Sequence, residues 1–189
     1  MIDVAAVATV LSVSAIGVVI PGPSFVAVVH KAVSGPRSEA LAFVSGIVLV
    51  NLLWATCAIF GIGIVFSIFP WLAKTVKIAG AAYLIWFGLK LIMSAGTESA
   101  RAARVPSRSG LRSACLQGIV TNIVNPKSIA FFAAVFSSAA PSHVSVETFL
   151  AMLGAVGLTA LSWYGLVALV LSHAAIARVY RSAKSVVDY

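Results

Sequence analysis

Acidic side chains are almost missing from this chain: 5 Asp and Glu stand against 13 Lys and Arg in 189 residues. Charge of either sign is scarce, at 10%, where soluble domains carry about 25%. With 61% hydrophobic residues the chain has more apolar surface than a soluble core can absorb, so it reads as an integral membrane protein of one domain. Cysteine is equally sparse. Cys57 and Cys115 have neither CxxC nor metal-ligand spacing, and Cys57, inside an apolar run, reads as a small core residue with no disulfide. No nucleophile–base pair, metal cluster or phosphate loop is present, so no enzyme activity, metal or cofactor is expected. A basic leader is missing too: Asp3 stands where a signal peptide has positive charge, and the first apolar run is too long for its core, so it reads as a retained span. The net charge of +8 lies in short loops, where it sets membrane orientation, and this argues against nucleic-acid binding.

What is present is a series of long uncharged runs, to be set against the roughly 20 residues of a bilayer crossing. Val4–Val29 holds 26 residues without a formal charge, and Ala40–Phe69 and Thr148–Ala177 hold 30 each. The 34 residues between Arg112 and Glu147 contain one charge, Lys127. A weaker run of 12 residues between Lys77 and Lys90 spans if Lys74, Lys77 and Lys90 snorkel to the interfaces. The pattern predicts an all-α membrane protein with five helices near 4–30, 40–68, 71–94, 113–139 and 147–177. Ser34-Gly35-Pro36, Pro70 and Ala140-Pro141-Ser142 mark turns. Nine basic residues (Lys31, Arg37, Arg101, Arg104, Arg108, Arg112, Arg178, Arg181, Lys184) fall on one side and two (Lys74, Lys77) on the other. The bias places the N-terminus outside and the tail in the cytoplasm.

Two runs are interrupted by proline, at Pro21-Gly22-Pro23 and at Asn125-Pro126-Lys127. Proline removes a backbone donor and clashes with the preceding turn, and in hydrocarbon the freed carbonyl must find another partner. Each break falls in the first helix of a three-helix unit. Three is odd, so the second unit enters from the opposite side, the inverted-repeat arrangement of secondary transporters. The domain 1–189 then divides into a first unit 1–94, a basic cytoplasmic loop 95–112, an incomplete second unit 113–177 and a basic tail 178–189. A membrane thiol-redox enzyme would need a cysteine in each broken helix, and neither cysteine is so placed.

Three blocks resemble the lysine exporter superfamily (LysE/RhtB), bacterial inner-membrane exporters of amino acids and their derivatives. They are Pro21-Gly22-Pro23; Gly80-Ala81-Ala82-Tyr83-Leu84-Ile85-Trp86-Phe87-Gly88; and Gly118 through Asn122 with Asn125-Pro126-Lys127-Ser128 and Phe131-Phe132. Their order and spacing cover residues 1 to about 175. Ser137-Ser138-Ala139-Ala140 stands where the family has a Pro-Gln-Phe-like motif, and no glycine-rich sixth run follows Ala177. The resemblance implies export of a small amino acid, with alternating access and proton coupling as the family expectation. The missing run leaves a truncated, non-transporting remnant or an accessory subunit as the other reading, and a homodimer open.

The candidate substrate site is Pro21, Gly22, Pro23, Ser24, Asn122, Asn125, Pro126 and Lys127. At the first break an unwound segment would offer carbonyls and a helix N-terminus to a zwitterion; the plainer reading is a packing kink. Lys127 would pair with a substrate carboxylate or with the freed carbonyls, or else snorkel; no acidic residue lies inside a span to serve as its fixed partner. Asn122 and Asn125 would either satisfy groups freed by Pro126 or bind a substrate amino group. Asn51 reads as interhelical glue, and Gly80, Gly88, Gly154, Gly157 and Gly165 as packing positions. Trp163 and Tyr164 read as core filling rather than cavity lining, and His30 and His173 as interfacial rather than proton-coupling groups. A site without a membrane-embedded carboxylate should favour neutral over dibasic amino acids.

Overall fold

Proline, small polar caps and turns set the helix boundaries. The computed structural model describes residues 1–68, 109–139 and 144–173 and the isolated positions 71, 75, 78, 79, 81, 82, 85, 86 and 89. Its described helices are α1 (Val4–Val19), α2 (Pro23–Ser34), α3 (Arg37–Ile68), α4 (Leu111–Ile123), α5 (Pro126–Ala139) and α6 (Val146–Leu171). Asp3 caps α1 by accepting from the Ala6 N–H at 3.0 Å, and Ser145 caps α6 by accepting from Thr148 at 3.2 Å. Pro23 and Pro126 stand at the first position of α2 and α5, where no backbone donor is needed.

The predicted first helix is therefore two, α1 and α2, bent by 59° at Ile20–Gly22. The predicted fourth is likewise two, α4 and α5, divided at Val124–Asn125. The predicted fifth runs only to Leu171, with Ser172 as its C-cap. The isolated positions between 71 and 89 are helical and fall in the predicted third helix. Most of the loop 95–112, the tail 178–189, Gly80 and Gly88 lie outside the described residues. Two described helices, α3 over Arg37–Ile59 and α6, are long and apolar enough to cross a membrane, and the bent pair α1–α2 makes a third candidate span. The protein is an all-helical, multi-pass membrane protein, as its composition predicts.

The most extensive helix contact joins α3 to α4. A Cβ at Gly46 would collide with the Cys115 carbonyl, and one at Gly118 with the Phe43 carbonyl, so the two backbones touch through these glycines. The packing glycines expected from the sequence differ. An added Cβ at Gly154 or Gly165 meets nothing within 4 Å, and one at Gly157 makes ordinary contact with Leu52 at 3.5 Å. Cys57 is exposed, not a core residue. In an evenly apolar helix, composition does not tell the lipid face from the packed one.

Among the described residues the two larger apolar clusters divide the interior. One gathers Val28, Phe43, Ile47 and Tyr164; the other gathers Val10, Ala55, Met152 and Val156. Asn51 lies on α3 between Ile47 and Ala55, and the buried polar residues at the breaks meet it there.

Candidate functional site

A helical carbonyl accepts from the N–H four residues later. Pro21 has no N–H, so the Gly17 carbonyl loses its partner. Ile20, the extended C-cap of α1, also turns its carbonyl out of the helix. Both carbonyls accept from Lys127 Nζ, Gly17 at 3.0 Å and Ile20 at 2.5 Å. The negative end of the α1 dipole favours a cation at this point. Gly22 makes room for the lysine stem: a Cβ there would lie 2.9 Å from Lys127 Cδ. Gly22 is extended at φ −158°, so space rather than backbone freedom requires glycine. Lys127 is 8% exposed, and its backbone N–H donates to Asn125 Oδ1 at 3.0 Å, which caps α5.

A chain of amides and hydroxyls runs beside this ammonium. Asn125 Nδ2 donates to Ser24 Oγ at 2.8 Å, and Ser24 Oγ donates to Asn122 Oδ1 at 3.0 Å. Ser128 Oγ donates to the same oxygen at 2.7 Å. Asn122 Nδ2 donates to Asn51 Oδ1 at 2.8 Å and to the Ile47 carbonyl at 3.0 Å. The Asn122 amide thereby fills both donor and both acceptor positions, as a buried amide should. The network ties α2 and the α4–α5 break to the middle of α3.

Lys127, Asn51, Asn125, Gly22, Phe131 and Tyr164 contribute to the lining of a cavity of about 30 Å³. That volume holds about one water and is far smaller than an amino acid. Phe131 fills the notch left by Gly17, where an added Cβ would strike its ring. Among the described residues no cluster of three His, Cys, Asp or Glu side chains could hold a metal.

The eight residues picked out in the sequence lie at the two breaks. Pro21, Gly22, Pro23 and Ser24 stand at the α1–α2 break; Asn122, Asn125, Pro126 and Lys127 stand at the α4–α5 break. Lys127 bridges to the first break and Ser24 to the second. Lys127 takes carbonyls as partners, one of the three expectations for it. Asn122 does not serve groups freed by Pro126; it binds α3. Asn51 is interhelical glue, as read, and also lines the cavity. Gly17, Ser128 and Phe131 were missed. The four-residue rule applied to Pro21 would have found Gly17; no local signal marks Phe131 as facing it. Tyr164 is both core filling and cavity lining. His30 is half-buried on α2, and His173 is exposed past α6.

A family model described as LysE type translocator matches residues 15–189. The threonine efflux protein of Escherichia coli (strain K12) is 29% identical over 182 residues, covering 95% of this chain and 88% of that protein. The threonine efflux protein of Salmonella typhi is 30% identical over 184 residues, with the same coverage of 95% and 88%. A homoserine/homoserine lactone efflux protein of Salmonella typhimurium is 40% identical over 77 residues, 40% of this chain and 36% of that protein. No solved structure matches. The matched region contains both helix breaks and the polar layer between them, and the chain belongs to the LysE type translocator family, whose members are membrane exporters rather than enzymes.

Proposed function

We propose that this protein exports a small neutral amino acid or a close derivative across a bacterial inner membrane by alternating access, binding it between the two helix breaks. The observation that carries this reading is the Lys127 ammonium, buried at the end of α1 against the Gly17 and Ile20 carbonyls. A zwitterion presents the two groups such a site exchanges. Its carboxylate draws Lys127 Nζ away, and its ammonium takes the Gly17 and Ile20 carbonyls the lysine leaves. The amide and hydroxyl groups of Asn51, Asn125, Ser24 and Ser128 border the same space.

The cavity of about 30 Å³ must widen to admit an amino acid, as a site that opens by turns requires. Units 1–94 and 113–177 rock against each other in this reading, with the N-terminus outside and the tail cytoplasmic. No acidic residue lines the cavity among the described residues, so a dibasic side chain finds no anionic partner there. The names of the relatives favour threonine or homoserine as first candidates.

The test is export of a mixed amino-acid pool from loaded cells, read by mass spectrometry, for the parent chain and Lys127→Ala. Flux of a few neutral amino acids, lost in the variant, is expected. Preference for lysine or arginine over threonine, homoserine or leucine would overturn the substrate class. Proton coupling predicts that an ionophore collapsing the pH gradient slows the flux.

A further inference from the structure

The helices that meet at the breaks are also tied together at their far ends. Lys31, in the last turn of α2, is 0% exposed, and its Nζ lies 2.9 Å from Glu39 Oε2 in the first turn of α3. The same ammonium donates to Ser109 Oγ at 2.9 Å and to Gln117 Oε1 at 3.5 Å. Glu39 accepts from the backbone N–H groups of Ser109 at 3.0 Å and Gly110 at 3.1 Å, and from Ser109 Oγ at 3.4 Å. Gly110 is the N-cap of α4 and holds a φ of 74°, which a side chain would strain. One ion pair thus joins the end of α2 to the starts of α3 and α4. The sequence reading placed Lys31 in a loop as an orientation signal; it is helical and buried.

Each of these helices leads back to the break layer. At about 1.5 Å per residue, Ser24 lies roughly 10 Å along α2 from Lys31. Asn51 and Asn122 lie about 18 Å along α3 and α4 from Glu39 and Gly110. Between the two polar layers sit Ala27, Val28, Phe43, Val44 and Ile47, each at most 1% exposed, and the close α3–α4 backbone contacts at Gly46 and Gly118. A solute leaving the break layer along α2, α3 and α4 meets first a dry apolar plug and then the ion pair.

We propose that the Lys31–Glu39 pair, with Ser109 and Gly110, is the gate that closes this end of the transport path and parts when the end opens. A purely static staple would hold more firmly if apolar, because desolvating two charges offsets most of their attraction. A charged clamp differs in its open state. When the helix ends separate, water rehydrates both charges, so opening costs far less than exposing an apolar seam of the same size. The basic-residue bias places this end on the cytoplasmic side. The proposal rests on the alternating-access reading above.

Two measurements test it. In a chain with Cys57 and Cys115 replaced by serine, Val28→Cys puts a thiol in the plug. A membrane-impermeant maleimide is applied from the clamp side, without substrate. Adding Glu39→Gln is expected to speed alkylation at least ~10-fold; an unchanged rate in protein that keeps its melting transition overturns the gate. The second measurement leaves the clamp intact. Spin labels at Ser38 and Arg112, both exposed, flank it. During export of threonine a second, longer distance is expected. A single unchanged distance while export proceeds overturns the gate and leaves the exporter reading standing. Faster alkylation in a protein that exports none of the amino acids offered does the reverse.

Discussion

Among the described residues two lysines are buried, and their partners differ in kind. Lys31 meets a fixed carboxylate, Glu39, with a serine and a glutamine beside it. Lys127, 8% exposed, meets the carbonyls of Gly17 and Ile20. A carboxylate neutralises a cation; carbonyl dipoles solvate it without cancelling its charge. The first lysine is therefore committed to its partner while the clamp is closed. The second keeps a net charge that a passing anion can claim. The chain's scarcity of acids sharpens this contrast, since one of its 5 acidic residues is used at the clamp and none lines the cavity among the described residues.

Replacing each lysine alone is the strongest way to break the comparison. Lys127→Met is expected to cut export about 100-fold or more, since truncating one partner of a buried charged contact costs ~2–5 kcal/mol. Its melting temperature should fall only by the cost of the two carbonyls left without a donor, because no counter-charge is left behind. Lys31→Met should lower the melting temperature further, because it leaves the buried Glu39 carboxylate without its counter-charge. Equal losses of stability in purified protein would erase the distinction.

Pairing the change sharpens it. Lys31→Met with Glu39→Met removes both charges and should recover much of the stability lost by Lys31→Met alone. Thermal melts of the single and double variants read this directly, and no recovery would mean that the pair is not the partnership the geometry describes. Within the break layer, Asn51→Ala leaves an Asn122 N–H without its acceptor and should destabilise by ~1–3 kcal/mol. The denaturation midpoint checks it.

The last pair of substitutions sets a glycine at the α3–α4 crossing against one away from it. Gly118→Ala pushes a methyl group into the Phe43 carbonyl and should cost ~1–3 kcal/mol by forcing α3 and α4 apart. Gly154→Ala meets open space and should be neutral or stabilising by up to ~1 kcal/mol. A reversed order in denaturation midpoints would contradict the close crossing.

Local chemistry made much of the candidate site legible. Pro21 and Pro126 mark their breaks because a missing donor and a bulky ring act on the residue's own turn. Lys127 stood out because one charge in a 34-residue run needs an explanation. The same logic failed at Lys31. Near a predicted span end, a buried lysine and a loop lysine look alike, and Glu39 lies eight residues ahead, across a turn. It failed again at the glycines and at Cys57, because apolar residues all round a helix carry no record of which face is packed.

The sequence by itself determined that the chain is a helical membrane protein and where its helices break. These follow from composition and from covalent facts acting within a turn. Only the tertiary structure decided that the breaks meet, that Lys127 reaches across to the end of α1, that Asn122 answers to α3 and that Lys31 is locked to Glu39. Those choices join residues from 8 to more than 100 positions apart. A long flexible side chain can satisfy its charge in several ways, and the helix packed against it selects one.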